Sequence, residues 1–452
     1  MLRSIDPTSG DEIARYDALS SSDLEDRVSR SASAFERNRS RSFSDRSAIL
    51  NRVADLLDER TDDLAELMTR EMGKPLSQAR SEVEKCAWVC RHYADCGADY
   101  LADEVIESDA GRSYVRHEPL GPVLAVMPWN FPLWQVFRFA APTVMAGGTG
   151  LLKHASNVTG CSLAIEQIWQ DASADDAFLS LLVSSDAVAD LIADDRIRAV
   201  TLTGSEGAGR AVASAAGQAL KPSLLELGGS DAFVVLASAD LDAAADAAVK
   251  SRMQNNGQSC IAAKRWIVVD AVYDAFLARV TERIDALVVG DPMDEDTDIG
   301  PLARVDLRDE VHDQVERATA GGATVVLGGN VPDRDGAWYP PTLLTGVERG
   351  SVAFEEEVFG PVAALVRASD TDDAVRLANA SRFGLGSAVF AEQKEGESVA
   401  HRLRAGAAFV NGMVASDPRL PFGGIGDSGY GRELGPDGIR AFCNRKTVWI
   451  GG

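Results

Sequence analysis

Cys260 lies in QNNGQSCIAAKR, Gln254 to Arg265, among amides, a serine and alanines, with cationic residues only further along. A thiol of pKa near about 8.5 is mostly protonated at neutral pH, yet it is intrinsically a good nucleophile and needs little activation. Small polar neighbours leave such a thiol accessible, whereas a filler cysteine packs among Leu, Val and Ile. Locally, a nucleophile and a buried filler both stay open. Glu226 ends the apolar run SLLEL in SLLELGGSD, and the two glycines after it let the backbone approach another group. A lone carboxylate on an apolar strand is costly to bury, so it sits at the mouth of a cleft or is paired. In a partly apolar cleft its pKa rises towards neutrality, which suits a general base for water; a carboxylate capping the next turn is the competing reading. In VMPWNFPLWQVFR a strand runs into a turn stiffened by Pro128 and Pro132. Asn130, between them, can donate its amide to a developing oxyanion, an interaction worth about 3 to 4 kcal/mol in enzymes. Gln135 and Arg138, at i and i+3 of the following helix, share a face.

These groups need a scaffold. Ser22 to about Tyr100 reads as helices, because DRSAILNRVADLLDERTDDLAELMTREMG carries apolar residues at helical spacing, interrupted at Gly73, Lys74 and Pro75. From GPVLAVMPWNFP onward, short apolar runs (VLAVM, AVTLT, SLLEL, AFVVL) alternate with helical segments such as Leu133 to Met145 and Gly207 to Leu220. That is an α/β rhythm with a mainly parallel sheet. A second α/β run starts near Ala232, with helices expected at Leu241 to Arg252 and Ala271 to Leu287 and strands near TVVLGG and AALVRA. Two lobes fit the 452 residues. GRSYVRHEPLG and the C-terminal NRKTVWIGG are strand-like and can pair within the chain or with another subunit, while QDASADDAF reads as a solvated surface turn.

A dinucleotide site is ordinarily sought through G-x-G-x-x-G after a strand. The match here, GIGDSG from Gly424 to Gly429, follows DPRLPFG, which is no strand, and too little chain remains for a βαβ unit. It reads as a flexible loop. A different candidate is AVTLTGSEGAGR, where an apolar strand runs into Gly204 and Ser205 and Gly209 falls inside the next helix. Strand, glycine turn and helix N-terminus together favour a phosphate, although many α/β crossovers turn on glycine for packing alone.

Composition narrows the partners. A formal net charge of −24 disfavours nucleic acid and anionic membrane surfaces, both of which need a positive footprint. Lysine supplies only eight of the 45 basic residues, and an acidic, lysine-poor surface fits a halophilic enzyme, hydrated by carboxylates where salt screens self-repulsion; an ordinary acidic enzyme is the alternative. Six cysteines indicate no disulfide framework. CAWVCRHYADC lacks the spacing of a zinc finger or ribbon, and Cys86 and Cys90 at i and i+4 read as small hydrophobes on one helix face, so no metal site is expected. No run of about 18 to 20 uncharged apolar residues exists, and MLRSIDPTSG lacks the apolar core of a secretory signal. The expected location is the cytoplasm.

Taken in order, PWNFP, LLKHAS, TGSEGAG, LELGGSD, GQSC, EEVFGPV and PFGG resemble the NAD(P)-dependent aldehyde dehydrogenase superfamily over essentially the whole chain. REMGKP, PWNFPLWQVFR, KHASN, NGMVASD and GYGRELG look most like the succinate-semialdehyde dehydrogenases within it. The resemblance implies an aldehyde dehydrogenase-like α/β fold: a Rossmann-type cofactor domain over 1–107 and 121–228, an α/β catalytic domain over 229–418, and a small β oligomerisation flap from 108–120 and 438–452. Residues 419–437 would return the chain to the cofactor domain. It implies further that Cys260 attacks the aldehyde, that Asn130 and the Cys260 N–H hold the oxyanion, and that Glu226 activates the water that releases the acid. Trp129, Lys153, Ser156, Gly204, Ser205, Gly209, Leu227, Glu357 and Phe359 match the family's cofactor-binding positions, without the usual glycine fingerprint.

Ser156 stands three residues after Lys153, where NAD-preferring members commonly carry glutamate. A carboxylate there would repel a 2′-phosphate, whereas a hydroxyl can donate to it and Lys153 can neutralise it, so NADP is the expected cofactor and NAD the alternative. Arg138 and Ser416 resemble the pair that grips the distal carboxylate of succinate semialdehyde, with Gln135 beside them; a structural arginine paired to an acid is the competing reading of Arg138. The family implies a homodimer or homotetramer. Competing functions are another semialdehyde or broad aliphatic aldehyde dehydrogenase, and a cysteine hydrolase or esterase that binds no dinucleotide.

Overall fold

The helical periodicity is realised as Ser21–Ser40, Phe43–Glu59, Thr61–Met72 and Leu76–Tyr100 in a computed structural model that describes residues 1–451. Ser20 and Ser42 start the first two helices with capping boxes closed by Asp23 and Asp45. Gly73, at φ 76°, ends the third, and a Cβ there would lie 2.6 Å from the Pro301 carbonyl oxygen. Cys86 and Cys90 are fully buried on the apolar face of Leu76–Tyr100, and burial pushes both thiols up. None of the described helices is long and apolar enough to cross a membrane.

A six-stranded sheet follows, in the order Gly429–Tyr430, Ser223–Glu226, Ala199–Thr203, Pro122–Met127, Thr149–His154, Phe178–Ser180. All pairings are parallel except the antiparallel Gly429–Tyr430 edge. The chain lays down three strands to one side and then restarts at Ala199–Thr203 on the other side of Pro122–Met127. Such a reversal opens a crevice at the carboxyl ends of the central strands, the place where doubly wound sheets bind ligands.

The second lobe is a seven-stranded sheet ordered Thr324–Leu327, Thr342–Thr345, Val362–Ala368, Ala263–Val269, Asp231–Val235, Gly386–Phe390, Ala407–Val410. Only its Thr324–Leu327 edge is antiparallel. Ala263–Val269 is buried along its whole length, as a strand covered on both faces must be. The two terminal strand-like pieces pair within the chain: Cys443–Ile450 runs antiparallel to Arg112–Pro119, with Glu104–Val105 on the far edge.

GIGDSG departs from its expectation. Instead of a flexible loop, Ile425–Gly426 pairs with Phe383–Gly384 and Gly429–Tyr430 adds an edge to the six-stranded sheet. Ser428 fixes it further, donating to the Gly228 carbonyl at 2.7 Å and accepting from the Gly384 N–H at 3.1 Å. The glycines serve this approach rather than a phosphate: at Gly429, φ 102°, a Cβ would lie 2.1 Å from the Leu225 carbonyl oxygen. The QDASADDAF turn is tied to the first helix by Arg30–Asp176 at 2.6 Å and by Arg41–Asp175.

Candidate active site

The approach to Cys260 is a run of left-handed backbone: Asn255 and Asn256 both have φ 55° and Gly257 has φ 72°. Asparagine tolerates this region better than other side chains, and here its amide is also used. Asn255 Nδ2 donates to the Asn130 carbonyl at 2.8 Å and the Gln258 carbonyl at 2.9 Å, and Asn256 Nδ2 donates to Gly73 and Pro301, each at 2.8 Å. Arg252, fully buried, gives its guanidinium to backbone carbonyls alone, among them Gly257 at 2.9 Å, Val358 at 2.7 Å and Val362 at 2.6 Å. It thereby stitches the cysteine loop to the loop that carries Glu357 and Phe359.

Lys264 pins the loop from the other side. Its Nζ donates to the carbonyls of Ser259 at 2.8 Å and Cys260 at 2.7 Å and pairs with Glu357 Oε1 at 2.9 Å. Glu357 in turn accepts from the Gly229 N–H at 3.0 Å. The double glycine after Glu226 is what admits it, since a Cβ on Gly228 would lie 2.2 Å from Glu357 Oε2. Cys260 keeps partial access to a cavity of about 770 Å³ that Gln135, Arg138 and Ser416 also line. Its desolvated surroundings push the thiol up to about 11, against the pull of Arg138 and Lys264.

Asn130 Nδ2 donates to the Gln258 carbonyl at 3.1 Å, which uses one of its two amide hydrogens. The Cys260 N–H has no backbone acceptor among the described residues. One Asn130 amide hydrogen and the Cys260 N–H therefore remain without a protein acceptor among the described residues. The Asn130 turn is itself held from below: Glu82 Oε1 accepts from the N–H groups of Leu133 and Trp134, each at 2.9 Å, at the start of the Trp134–Met145 helix. Glu82 is paired with buried Lys74, whose ammonium sits 4.1 Å from the Phe131 ring centroid. His154 closes the other flank. Neutral, with burial pushing it down to about 4, it donates from Nε2 to the Pro132 carbonyl at 2.9 Å and accepts the Ala155 N–H on Nδ1 at 3.0 Å.

Glu226 is buried and neither carboxyl oxygen has a hydrogen-bond partner. Burial pushes it well above the carboxylate range, with Arg138 pulling the other way. Arg138 forms a buried ion pair from Nε to Glu433, not aligned as a hydrogen bond, and donates from Nη2 to Thr203 Oγ1 at 3.2 Å. Burial also raises Glu433. Arg138 thus lines the cavity while paired to a buried carboxyl group, so the structural pairing is realised.

Most residues expected to bind the cofactor collect at the carboxyl ends of the six-stranded sheet. Trp129 follows Pro122–Met127 and meets Phe359 edge to face, 5.8 Å between centroids. Lys153 lies near the end of Thr149–His154, its Nζ 3.4 Å from Ser185 Oγ, and Ser156 opens the next turn, exposed. Ser205 caps the Glu206–Gln218 helix. Gly204 N–H donates to the Glu226 carbonyl at 3.0 Å, and Gly209 lets that helix close on Leu227, since a Cβ there would lie 2.6 Å from Leu227 Cδ2. A helix N-terminus at the strand ends, capped by Ser205, and a lysine without a carboxylate partner among the described residues make a setting for a dinucleotide phosphate.

Sequence reasoning passed over Lys74, Glu82, Arg252, Lys264 and Glu433. Glu82 carried a signal, because it falls on the buried face of its helix beside Val83 and Cys86. Arg252 meets the Val358 carbonyl, and Lys264 the Glu357 carboxylate, only in the folded chain.

A model of the aldehyde dehydrogenase family matches residues 1–448. Over 451 residues, 99% of both chains, this one is 50% identical to a probable succinate-semialdehyde dehydrogenase (NADP(+)) of Synechocystis sp.. It is 48% identical, over 454 residues and again 99% of both, to a succinate-semialdehyde dehydrogenase (NADP(+)) of Mycobacterium leprae. The crystal structure of a succinic semialdehyde dehydrogenase from Streptococcus pyogenes in complex with NADP+ superposes with a TM-score of 0.98 at 36% identity, covering 100% of both chains. With the cysteine, amide, carboxylate and strand-end crevice in place, these likenesses settle the lineage: the chain belongs to the aldehyde dehydrogenase family.

Proposed function

We propose that this enzyme oxidises succinate semialdehyde to succinate with NADP. One observation carries the reading: the cavity that Cys260 opens onto also holds Arg138, Gln135 and Ser416, so the reacting thiol and a carboxylate-binding wall face one substrate. The names of the Synechocystis and mycobacterial relatives support the same substrate and cofactor.

Cys260 Sγ attacks the aldehyde carbon and gives a thiohemiacetal, with the remaining Asn130 amide hydrogen and the Cys260 N–H receiving the oxyanion. NADP, when bound, supplies the hydride acceptor. The acyl group is then held on Cys260 as a thioester. Glu226, its carboxyl raised by burial, takes the proton of the water that attacks it, and the thiol is regenerated. Arg138 and Ser416 orient the far end of the substrate, with Gln135 beside them. For the cofactor, Lys153 and the Ser156 hydroxyl would hold the adenosine ribose and its 2′-phosphate. Gly204 and Ser205 would face the pyrophosphate, Gly209 and Leu227 would shape that turn, and Trp129, Glu357 and Phe359 would position the nicotinamide half.

The same reading divides the chain into a cofactor domain of 1–107 and 121–228, a catalytic domain of 229–418 and the flap. Assembly through the flap fits its exposed apolar side chains Trp449 and Ile450, with Val105 and Ile106 exposed beside it. We also infer that the enzyme works in the cytoplasm of a salt-adapted cell, in keeping with its charge of −24. A panel of aldehydes assayed with NADP and NAD at low and high salt, following absorbance of the reduced cofactor, tests the reading. Highest kcat/KM is expected for succinate semialdehyde with NADP; no reduced cofactor from any aldehyde, alongside hydrolysis of 4-nitrophenyl acetate, would mean a hydrolase instead.

A further inference from the structure

The cavity wall carries several cations, and most are already neutralised. Lys74 is paired with Glu82, Arg138 with Glu433, and Arg283 with Asp242 and Asp246, while Lys250 is exposed at the mouth. Lys85 differs. It projects from the Leu76–Tyr100 helix into the same cavity as Cys260, and no carboxylate lies within ion-pair reach of it among the described residues. Its Nζ donates to Ser416 Oγ at 2.9 Å and sits 4.2 Å from the Trp134 ring centroid. An ammonium has three hydrogens and a hydroxyl that accepts from it keeps its own, so two N–H groups and one O–H remain to converge on an anion. Desolvation pulls the ammonium down to about 8, with Arg138 adding repulsion and Cys86, Glu82 and Asp417 opposing. A desolvated, unpaired cation gains more from a bound carboxylate than a hydrated one does.

We propose that Lys85, together with Ser416, is the specificity-determining charge that binds the distal carboxylate of the semialdehyde, while Arg138 shares its guanidinium with Glu433 and Thr203. This rests on the substrate assigned above. In a protein of charge −24, an anionic substrate needs such a local cation, and Lys85, unlike the exposed Lys250, is a desolvated cavity cation placed to meet it without first breaking an ion pair.

The test compares succinate semialdehyde with butanal, an uncharged aldehyde of similar length, in the wild-type enzyme, Lys85→Met and Lys85→Arg with saturating NADP. Lys85→Met should raise KM for succinate semialdehyde about 10- to 100-fold, with a loss on butanal at least about tenfold smaller, and Lys85→Arg should recover much of the difference. Equal losses on both aldehydes, or none on either, overturn the assignment. A wild-type enzyme with no preference for succinate semialdehyde over butanal refutes the underlying substrate reading, and that result is visible before any variant is made. If the variants do not fold, the wild-type chain still decides: succinate should protect Lys85 from acetylation by acetic anhydride, read by peptide mass spectrometry, and unaltered labelling contradicts the proposal.

Discussion

On the substrate side of Cys260 the wall is made of long charged side chains fixed by one another: Lys74 on Glu82, Arg138 on Glu433, Lys85 on Ser416. On the cofactor side the surface comes from strand ends and the start of a helix, with Gly204 and Ser205 contributing backbone, Ser156 exposed and Lys153 tied only loosely to Ser185. The first region is desolvated, and Arg138 there acts on Glu226 through space; in the second Ser156 is exposed and Lys153 is buried without a carboxylate partner among the described residues. A charge changed in the first should therefore disturb everything joined to it, whereas a change in the second should be felt only by the ligand it touches.

Arg138→Ala is the strongest way to break this contrast. Removing the cation leaves Glu433 and Glu226 buried without it, and losing one partner of a buried pair costs about 3 to 5 kcal/mol. A lowered Tm is expected, with kcat/KM reduced for charged and uncharged aldehydes alike and further for the charged one. A stable variant impaired only on succinate semialdehyde would show that Arg138 serves the substrate alone. Ser156→Glu probes the cofactor side. It should shift the ratio of kcat/KM for NADP over NAD by about 10- to 100-fold towards NAD while leaving KM for succinate semialdehyde in place; an unmoved ratio would remove Ser156 from cofactor choice.

The smallest effect expected is one of pH. Lys85 is charged below its depressed value of about 8 and neutral above it, so carboxylate binding is complete on the acid side and is lost as pH rises through about 8. The Cys260 thiol, pushed up to about 11, and Glu226, raised by burial, both become more competent as pH rises. KM for succinate semialdehyde should accordingly climb several-fold between about pH 7 and pH 9 while kcat also climbs, with KM for butanal flat. Parallel KM profiles for the two aldehydes would separate Lys85 from the substrate.

The residues around Cys260 differ in how far sequence alone reveals them. Cys260, Glu226 and Asn130 sit in short segments whose local composition already fits their chemistry, and the α/β rhythm places Glu226 and Asn130 at strand ends. Lys85 and Ser416 are 331 residues apart, and Arg252 reaches carbonyls more than 100 positions away, so their partnership exists only in the folded chain. GIGDSG reads as a loop for the same reason: two-residue strands are defined by the edge they join, here Leu225 and Glu226, and not by their own pattern. A helix face that is otherwise apolar yet carries Glu82 and Lys85 is the legible trace of the buried charges.

The claim on which the rest depends is that Cys260 carries the acyl group between oxidation and hydrolysis. Glu226→Gln, mixed with NADP and succinate semialdehyde and quenched in acid, should release about one equivalent of reduced cofactor in a burst and leave a succinyl thioester on the Cys260 peptide, identified by mass spectrometry. Reduced cofactor with the adduct on another residue, or undiminished steady turnover with no adduct, would contradict it.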